Sequence, residues 1–277
     1  MGAAPGAILA VGGAEDKVKK RAILLRFVRE AGGRKARVAI VPTASSIPEE
    51  RASFYSEVFG QLGAGECVHV PIVTRRDAQL VANAELVRSC SGVFLTGGDQ
   101  TRLVSVLSET RSFEAIRSGL VAGGVVAGTS AGASAFSATM IVGGQTGLNI
   151  RRDGVRLATG LGIITRLIID QHFSQRDRLG RLLTAVASEP AKLGVGIDED
   201  TAIVYYGNGL IEVIGSGQVF ILDAARVVVN GVADTPKTRP FSISEVALHV
   251  LTEGDRFNVV ERCVTPADDT SEQEIPA

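Results

Sequence analysis

Tryptophan is absent, and the remaining aromatics are only 3 tyrosines and 10 phenylalanines, while glycine reaches 32 residues. That profile suits short parallel strands joined by tight glycine turns better than a recognition surface of stacked rings. Cysteine is nearly as scarce. Cys67, Cys90 and Cys263 are far apart and odd in number, and no CxxC pair occurs. A disulfide framework or a zinc site is therefore not expected, and reduced thiols of a cytosolic protein are. An excess of charge is also missing. The 29 basic and 30 acidic residues leave a net charge of -1, too little to draw nucleic acid or an anionic membrane. No apolar run approaches the roughly 20 residues needed to span a bilayer. The N-terminal stretch Ala7–Val11 follows no basic n-region and reads as a first strand rather than a signal peptide. Gly6 stands where N-myristoylation favours Ser or Thr, so that modification is not expected. The expectation is a soluble, cytoplasmic protein with no metal or organic cofactor.

Short apolar runs that end in glycine or small polar residues alternate with helical patterns. Strands are expected at Ala7–Val11, Ala36–Val41, Cys67–Val73, Gly92–Thr96 and Gly124–Ala127. Helices are expected at Lys17–Arg29, Pro48–Leu62, Ala78–Arg88 and Arg111–Val121. Such βα alternation predicts an α/β fold, a mostly parallel sheet with helices on both faces and the ligand site at the strands' carboxyl ends. Beyond residue 190 the pattern changes to short strands at Gly194–Ile197, Thr201–Tyr206, Leu210–Ile214 and Gln218–Leu222, with a further one at Arg226–Val229. These are read as antiparallel strands that finish the same sheet or a small one beside it. Residues 1–264 are read as a single domain and 265–277, polar and acidic, as a disordered tail.

The strongest local signal is Gly128-Thr129-Ser130-Ala131-Gly132-Ala133. It follows an apolar strand and opens a small-residue helix, the setting that a G-x-S-x-G nucleophile elbow requires. Small residues on both sides let the backbones approach closely enough to turn sharply and expose the serine hydroxyl. The Ala131 amide is then placed to stabilise an oxyanion. The same glycine-rich stretch lacks the spacing of GxGxxG and the lysine of a phosphate-binding loop.

An elbow serine needs a base, and the chain has three histidines. His69 and His249 lie inside apolar stretches and read as structural. His172 follows the apolar run Leu167–Ile169 within Asp170-Gln171-His172-Phe173, at a strand end. Arg176, Arg178 and Arg181 come close behind it and suggest recognition of an acidic group, since guanidinium forks suit carboxylates. Gly97-Gly98-Asp99-Gln100 closes the fourth expected strand, so the Gly98 amide is a second oxyanion candidate and Gln100 a candidate for holding a substrate amide.

Taken in order, Gly12-Gly13-Ala14-Glu15-Asp16-Lys17, Thr96-Gly97-Gly98-Asp99-Gln100, Gly128-Thr129-Ser130-Ala131-Gly132-Ala133, Asp170-Gln171-His172-Phe173 and Gly196-Ile197-Asp198-Glu199-Asp200-Thr201 resemble the cyanophycinase family, serine peptidases grouped with aspartyl dipeptidase. The resemblance runs from about residue 7 to about 225. It implies a flavodoxin-like sheet related to class I glutamine amidotransferases, with serine in place of their cysteine, in a cytosolic homodimer. It implies exo-hydrolysis of cyanophycin, a poly-aspartate with arginine on each side-chain carboxyl, to β-aspartyl-arginine dipeptides. Carried over by motif, Ser130 is the nucleophile and His172 the base, while Gln100, Asp170, Gln171, Arg176, Arg178 and Arg181 line the substrate pocket, with Asp170 a candidate partner for the substrate guanidinium.

One departure stands out. The resemblance places the family's third triad member, a glutamate, after the Gly-Gly that follows the elbow helix. In Gly143-Gly144-Gln145-Thr146-Gly147-Leu148-Asn149 that position falls on Leu148, which cannot orient an imidazole. Three readings stay open: another acid (Asp153, Asp170 or Glu199) takes the role, a serine–histidine dyad works at reduced rate, or the substrate differs. The rivals to a cyanophycinase are a peptidase for short aspartyl peptides and a cyanophycin-binding protein without activity.

Overall fold

The computed structural model describes residues 6–265, so the start of the chain and residues 266–277 of the expected tail lie outside the described residues, while Thr265, expected to open that tail, pairs in the last strand. The chain first alternates strands and helices: β1 (Ile8–Val11), α1 (Ala22–Glu30), β2 (Arg37–Val41), α2 (Pro48–Gln61), β3 (Glu66–His69), α3 (Arg75–Gln79), α4 (Val81–Arg88), β4 (Gly92–Leu95), α5 (Gln100–Leu107), α6 (Arg111–Val121) and β5 (Val125–Thr129). A one-turn helix, α7 (Ala131–Ser134), leads to the hairpin β6 (Thr139–Gly144) and β7 (Val155–Thr159). Then come β8 (Leu167–Gln171), α8 (Leu179–Ser188), β9 (Leu193–Ile197), β10 (Thr201–Tyr205), β11 (Leu210–Gly215), β12 (Val219–Asp223), β13 (Ala247–Leu251), β14 (Arg256–Asn258) and β15 (Cys263–Thr265).

Two sheets carry the architecture. The larger has nine strands in the order β15-β14-β11-β10-β1-β5-β4-β2-β3, in which β1 to β5 are parallel and β10, β11, β14 and β15 extend the sheet antiparallel from β1. The smaller has four strands, β13-β12-β9-β8. Both alternatives for the later strands are thus realised: β10 and β11 finish the main sheet, while β9 and β12 belong to the second.

Period-2 alternation sorts the strand residues onto two faces. Leu9, Val11, Val38, Ile40 and Phe94 point toward α1 and α2, where Phe27, Tyr55 and Phe59 pack against Phe94 at ring-centroid distances of 4.6–5.6 Å. Ile8, Ala10, Ala39, Val41, Val93 and Leu95 point to the other face. There they meet α5, α6 and the inner side of the second sheet through Leu103, Leu107, Ile169, Val195 and Ile221. The outer side of the second sheet is covered by α8 through Leu182, Ala185 and Val186.

Several boundaries differ from the sequence expectation for local reasons. The first helix starts at Ala22 rather than Lys17, because the Asp16 carboxylate gathers the amides of Val18, Lys19 and Arg21 into a loop. Their hydrogen bonds hold the Asp16 pKa far below the usual carboxylate range. The third strand stops at His69, since Pro71 has no amide to give a ladder. The expected helix 78–88 breaks at extended Leu80, after the capping box of Thr74 and Asp77 starts a separate turn. Residues 226–229 form no strand: Val227 closes a turn onto Ala224, and Val228 is exposed. No helix among the described residues is long and apolar enough to cross a membrane. The three cysteines are free.

Candidate active site

The parallel strands end in the segments that the motifs mark. β5 delivers Ser130, which takes φ 52° and ψ -110°, a region unfavourable for any residue with a Cβ. The Ser130 amide is tied back to the Val11 carbonyl at 2.9 Å. Glycine is needed on both sides of this turn. A Cβ on Gly128 would lie 2.5 Å from the Gly132 backbone, and one on Gly132 would lie 2.6 Å from the Leu95 carbonyl oxygen. The strain at Ser130 therefore persists because close packing leaves the chain no alternative.

His172 comes from the other sheet. It sits at the end of β8 with φ 47°, and its amide donates to the Gly12 carbonyl at 2.9 Å, stitching the two sheets together at the site. Its Nε2 lies 3.0 Å from Ser130 Oγ, and its Nδ1 lies 2.5 Å from Glu199 Oε1. Glu199 belongs to the loop between β9 and β10, where its amide donates to the Gln175 side-chain oxygen at 3.1 Å. A Cβ on Gly13 would fall 2.5 Å from the His172 ring, so this glycine packs flat against the imidazole. Ser130 Oγ is also 3.3 Å from the Gln171 side-chain oxygen. Burial pushes the His172 pKa below its ordinary value; the hydrogen bond that the ring donates to Glu199 opposes this, and the charges of Arg176 and Arg178 add to the lowering. A hydroxyl, a mostly neutral imidazole and a carboxylate in this sequence can take the hydroxyl proton, direct the ring tautomer and stabilise the imidazolium that forms.

The three carboxylates left open by sequence are separated by the structure. Asp153 pairs with Arg151 at 3.3 Å. Asp170 is buried and held by Arg181, whose Nε lies 2.6 Å from Oδ2 and whose Nη2 lies 2.5 Å from Oδ1. Glu199 alone of the three faces His172. Leu148, where the resemblance put the acid, is 66% exposed in the loop that packs on Gly180.

The other expected residues divide into two groups. Gln171 reaches Ser130, and Arg176 is exposed in a short turn over residues 174–176. Arg178 and Arg181 are buried beside Asp170, and Arg178 also donates to the Gln171 carbonyl, which anchors the strand end that carries His172. Burial lowers the Arg178 pKa to about 10, which leaves it a cation at neutral pH. Gln100 donates to the Ile141 carbonyl at 2.9 Å and so braces the β6–β7 hairpin. Gly98 has φ 147°, and a Cβ there would overlap the Ala44 carbonyl oxygen. It lines a cavity of about 300 Å³ that opens on Ser130, together with Gly97, Thr129, Glu15 and Lys17. Glu15 and Lys17 were visible in sequence only as part of a motif, with no role attached. A carboxylate two residues after a strand-ending Gly-Gly is the available signal.

The sequence matches the profile of peptidase family S51 over residues 8–213. The chain belongs to peptidase family S51. As an S51 member it is a serine-type peptidase, a hydrolase. It is 42% identical over 262 residues to a cyanophycinase of Trichormus variabilis, covering 94% of this chain and 88% of that one. It is 40% identical over 252 residues to the cyanophycinase of Geminocystis herdmanii, covering 91% and 93%. Among solved structures, a peptidase from an acI-B1 Actinobacterium superposes with a TM-score of 0.65 at 24% identity, over 93% of this chain and 98% of that one. The S51 fold, class I glutamine amidotransferase-like, is the one described above.

Proposed function

We propose that this S51 peptidase hydrolyses cyanophycin to β-aspartyl-arginine dipeptides through an acyl-enzyme on Ser130. The observation that carries the reading is the continuous relay from Ser130 Oγ through His172 to Glu199, at 3.0 and 2.5 Å. The substrate follows from the cyanophycinases to which the chain is similar over nearly its whole length. The contact of His172 with Glu199 supports a triad over a dyad or a binding-only protein, readings that rested on Leu148.

In this mechanism His172 Nε2 accepts the Ser130 proton as Oγ attacks an aspartyl backbone carbonyl. Glu199 holds the Nδ1 proton and stabilises the cationic ring. The amides of Ala131 and Gly98 receive the oxyanion. His172 then gives its proton to the leaving amine, and the C–N bond breaks. Water, deprotonated by the same imidazole, adds to the acyl carbon and releases Ser130. We assign substrate contact to Gln171 and the exposed Arg176. Asp170, Arg178 and Arg181 act from behind, fixing the Gln171-His172 strand end, and Gln100 shapes the pocket through the hairpin. The reading treats residues 1–264 as one hydrolytic unit, supported by the pairing of β10 with β1. It takes the protein as a cytoplasmic homodimer, with light scattering as the check on the dimer. The test of function is a digest of purified cyanophycin read by mass spectrometry. β-Aspartyl-arginine released by the wild type and not by Ser130→Ala supports the reading. No dipeptide from the wild type overturns it.

A further inference from the structure

The motif Gly12-Gly13-Ala14-Glu15-Asp16-Lys17 contributes more than a glycine wall for His172. Glu15 is 3% exposed and lies directly behind the nucleophile. One of its carboxylate oxygens accepts from Thr129 Oγ1 at 2.7 Å, and the other accepts from Tyr55 OH at 2.6 Å and pairs with Lys17 Nζ at 3.2 Å. Lys17 Nζ also donates to the Glu15 backbone carbonyl at 2.8 Å. The loop that carries them is fastened at the next residue, where the Asp16 amide donates to Asp200 at 2.7 Å. Lys17 is therefore a lysine with its head held in place, not a free surface chain.

Lys17 lines the cavity that opens on Ser130, and Arg51, Ser45 and Ser46 line it too. The wall thus carries two cations against one carboxylate. Both oxygens of that carboxylate already accept hydrogen bonds, so it offers little to an incoming guanidinium. An ammonium has three donors, and two of those of Lys17 are spent on Glu15, which leaves one for a ligand. A cavity of this charge, with hydroxyls and a fixed ammonium, selects an anionic oxygen group.

We propose that Lys17, with Arg51, makes this cavity the subsite for a free carboxylate of the substrate, and that Lys17 is thereby a specificity-determining residue. The proposal rests on the cyanophycin reading above, and it supplies what that reading lacks. With Arg178 and Arg181 committed to Asp170, Lys17 and Arg51 are the cations that line the cavity beside the nucleophile. In a β-aspartyl-arginine polymer two kinds of carboxylate are free: the one on each arginyl unit and the one at the end of the aspartyl backbone. Either would enter by the same chemistry.

The experiment uses a synthetic trimer of β-aspartyl-arginine, a version amidated at the arginyl carboxylates and a version amidated at the backbone terminus. KM and kcat are measured for wild type, Lys17→Met, Lys17→Arg and Arg51→Gln. Affinities are measured by calorimetry on the same proteins carrying Ser130→Ala. Wild type should lose about tenfold in KM and in affinity for one of the two amides, the size of one charge-assisted hydrogen bond, and the amide that loses identifies the carboxylate. Lys17→Met should bind acid and amide alike, with the change in KM rather than kcat, and Lys17→Arg should restore the preference. Arg51→Gln, an exposed change that leaves the Lys17–Glu15 pair intact, should halve the preference or more, and it decides the matter should Lys17→Met fold poorly. The proposal is overturned when neither amide binds more weakly than the acid, or when Lys17→Met and Arg51→Gln both keep the wild-type preference. A wild type that binds with the preference but cuts nothing refutes the activity and leaves the subsite standing.

Discussion

Replacing Glu199 by glutamine removes one charge and almost no volume, so it isolates what the carboxylate does for His172. At 2.5 Å from Nδ1 the Glu199 oxygen makes a charge-assisted bond, and the side chain is 36% exposed, so water screens part of it. Losing such a bond in the transition state costs about 1.5–3 kcal/mol, or roughly 10- to 150-fold in kcat. A glutamine that turns its NH2 toward Nδ1 would also select the wrong tautomer, which raises the loss toward about 10⁴-fold. A fall in kcat of about 10²- to 10³-fold is expected. The pH dependence carries a second, independent signature. Glu199 raises the His172 pKa against burial, so its removal lets the value fall further, and the acid limb of kcat/KM must move to lower pH. The assay is the initial rate of dipeptide release from a soluble cyanophycin fragment between pH 5 and 9. A loss below about threefold with an unmoved acid limb would refute the assignment of Glu199. Asp153→Asn and Leu148→Glu are the controls, and each should leave the rate within about twofold.

Four further outcomes follow from the same geometry. Arg176→Gln takes away a positive charge that depresses His172, so the acid limb should shift to higher pH, opposite to Glu199→Gln; a downward shift in the same pH–rate series would contradict it. Gly13→Ala, at φ 98° and 2.5 Å from the His172 ring, should lower kcat at least about 10²-fold by displacing the base, as steady-state kinetics would reveal. Asp170→Asn leaves the buried Arg178 and Arg181 without a carboxylate and should cost about 3–5 kcal/mol in urea unfolding; an unchanged midpoint would show that the pair contributes nothing. Phe94→Ala, which opens the ring cluster with Phe27, Tyr55 and Phe59, should cost about 3–5 kcal/mol by the same measurement while leaving the trimer's KM near wild type.

Much of this arrangement was legible before any coordinates, because it is local. Glycines at 128 and 132 around Ser130 declare a sharp strand-to-helix turn, and continuous apolar runs at 38–41 and 92–95 declare strands buried on both faces. The histidine was legible by position, at the end of an apolar run. The acid was not, because Glu199 reaches His172 across 27 residues from a loop between two different sheets. Nothing in the spacing of Asp153, Asp170 and Glu199 distinguishes them; only the folded chain does, by giving Asp170 to Arg181 and Asp153 to Arg151. The resemblance pointed to position 148 for the acid, and the exposed Leu148 shows that this stretch serves as a loop instead. The division of the arginine cluster is hidden for a related reason: clustering predicts charge density, but the pairing of buried Arg178 and Arg181 with Asp170 is tertiary. The hairpin β6–β7 is hard to read from sequence because its first strand ends in Gly143 and Gly144 and shifts register after Ile141.

The most direct measurement of the central claim is an acid quench of wild-type protein during turnover of a short cyanophycin fragment, followed by mapping of the peptide that contains Ser130. An aspartyl acyl adduct on Ser130, formed at the rate of first dipeptide release and absent in His172→Ala, is the predicted result. Dipeptide release that continues in Ser130→Ala, or an adduct on any other residue, would contradict the account.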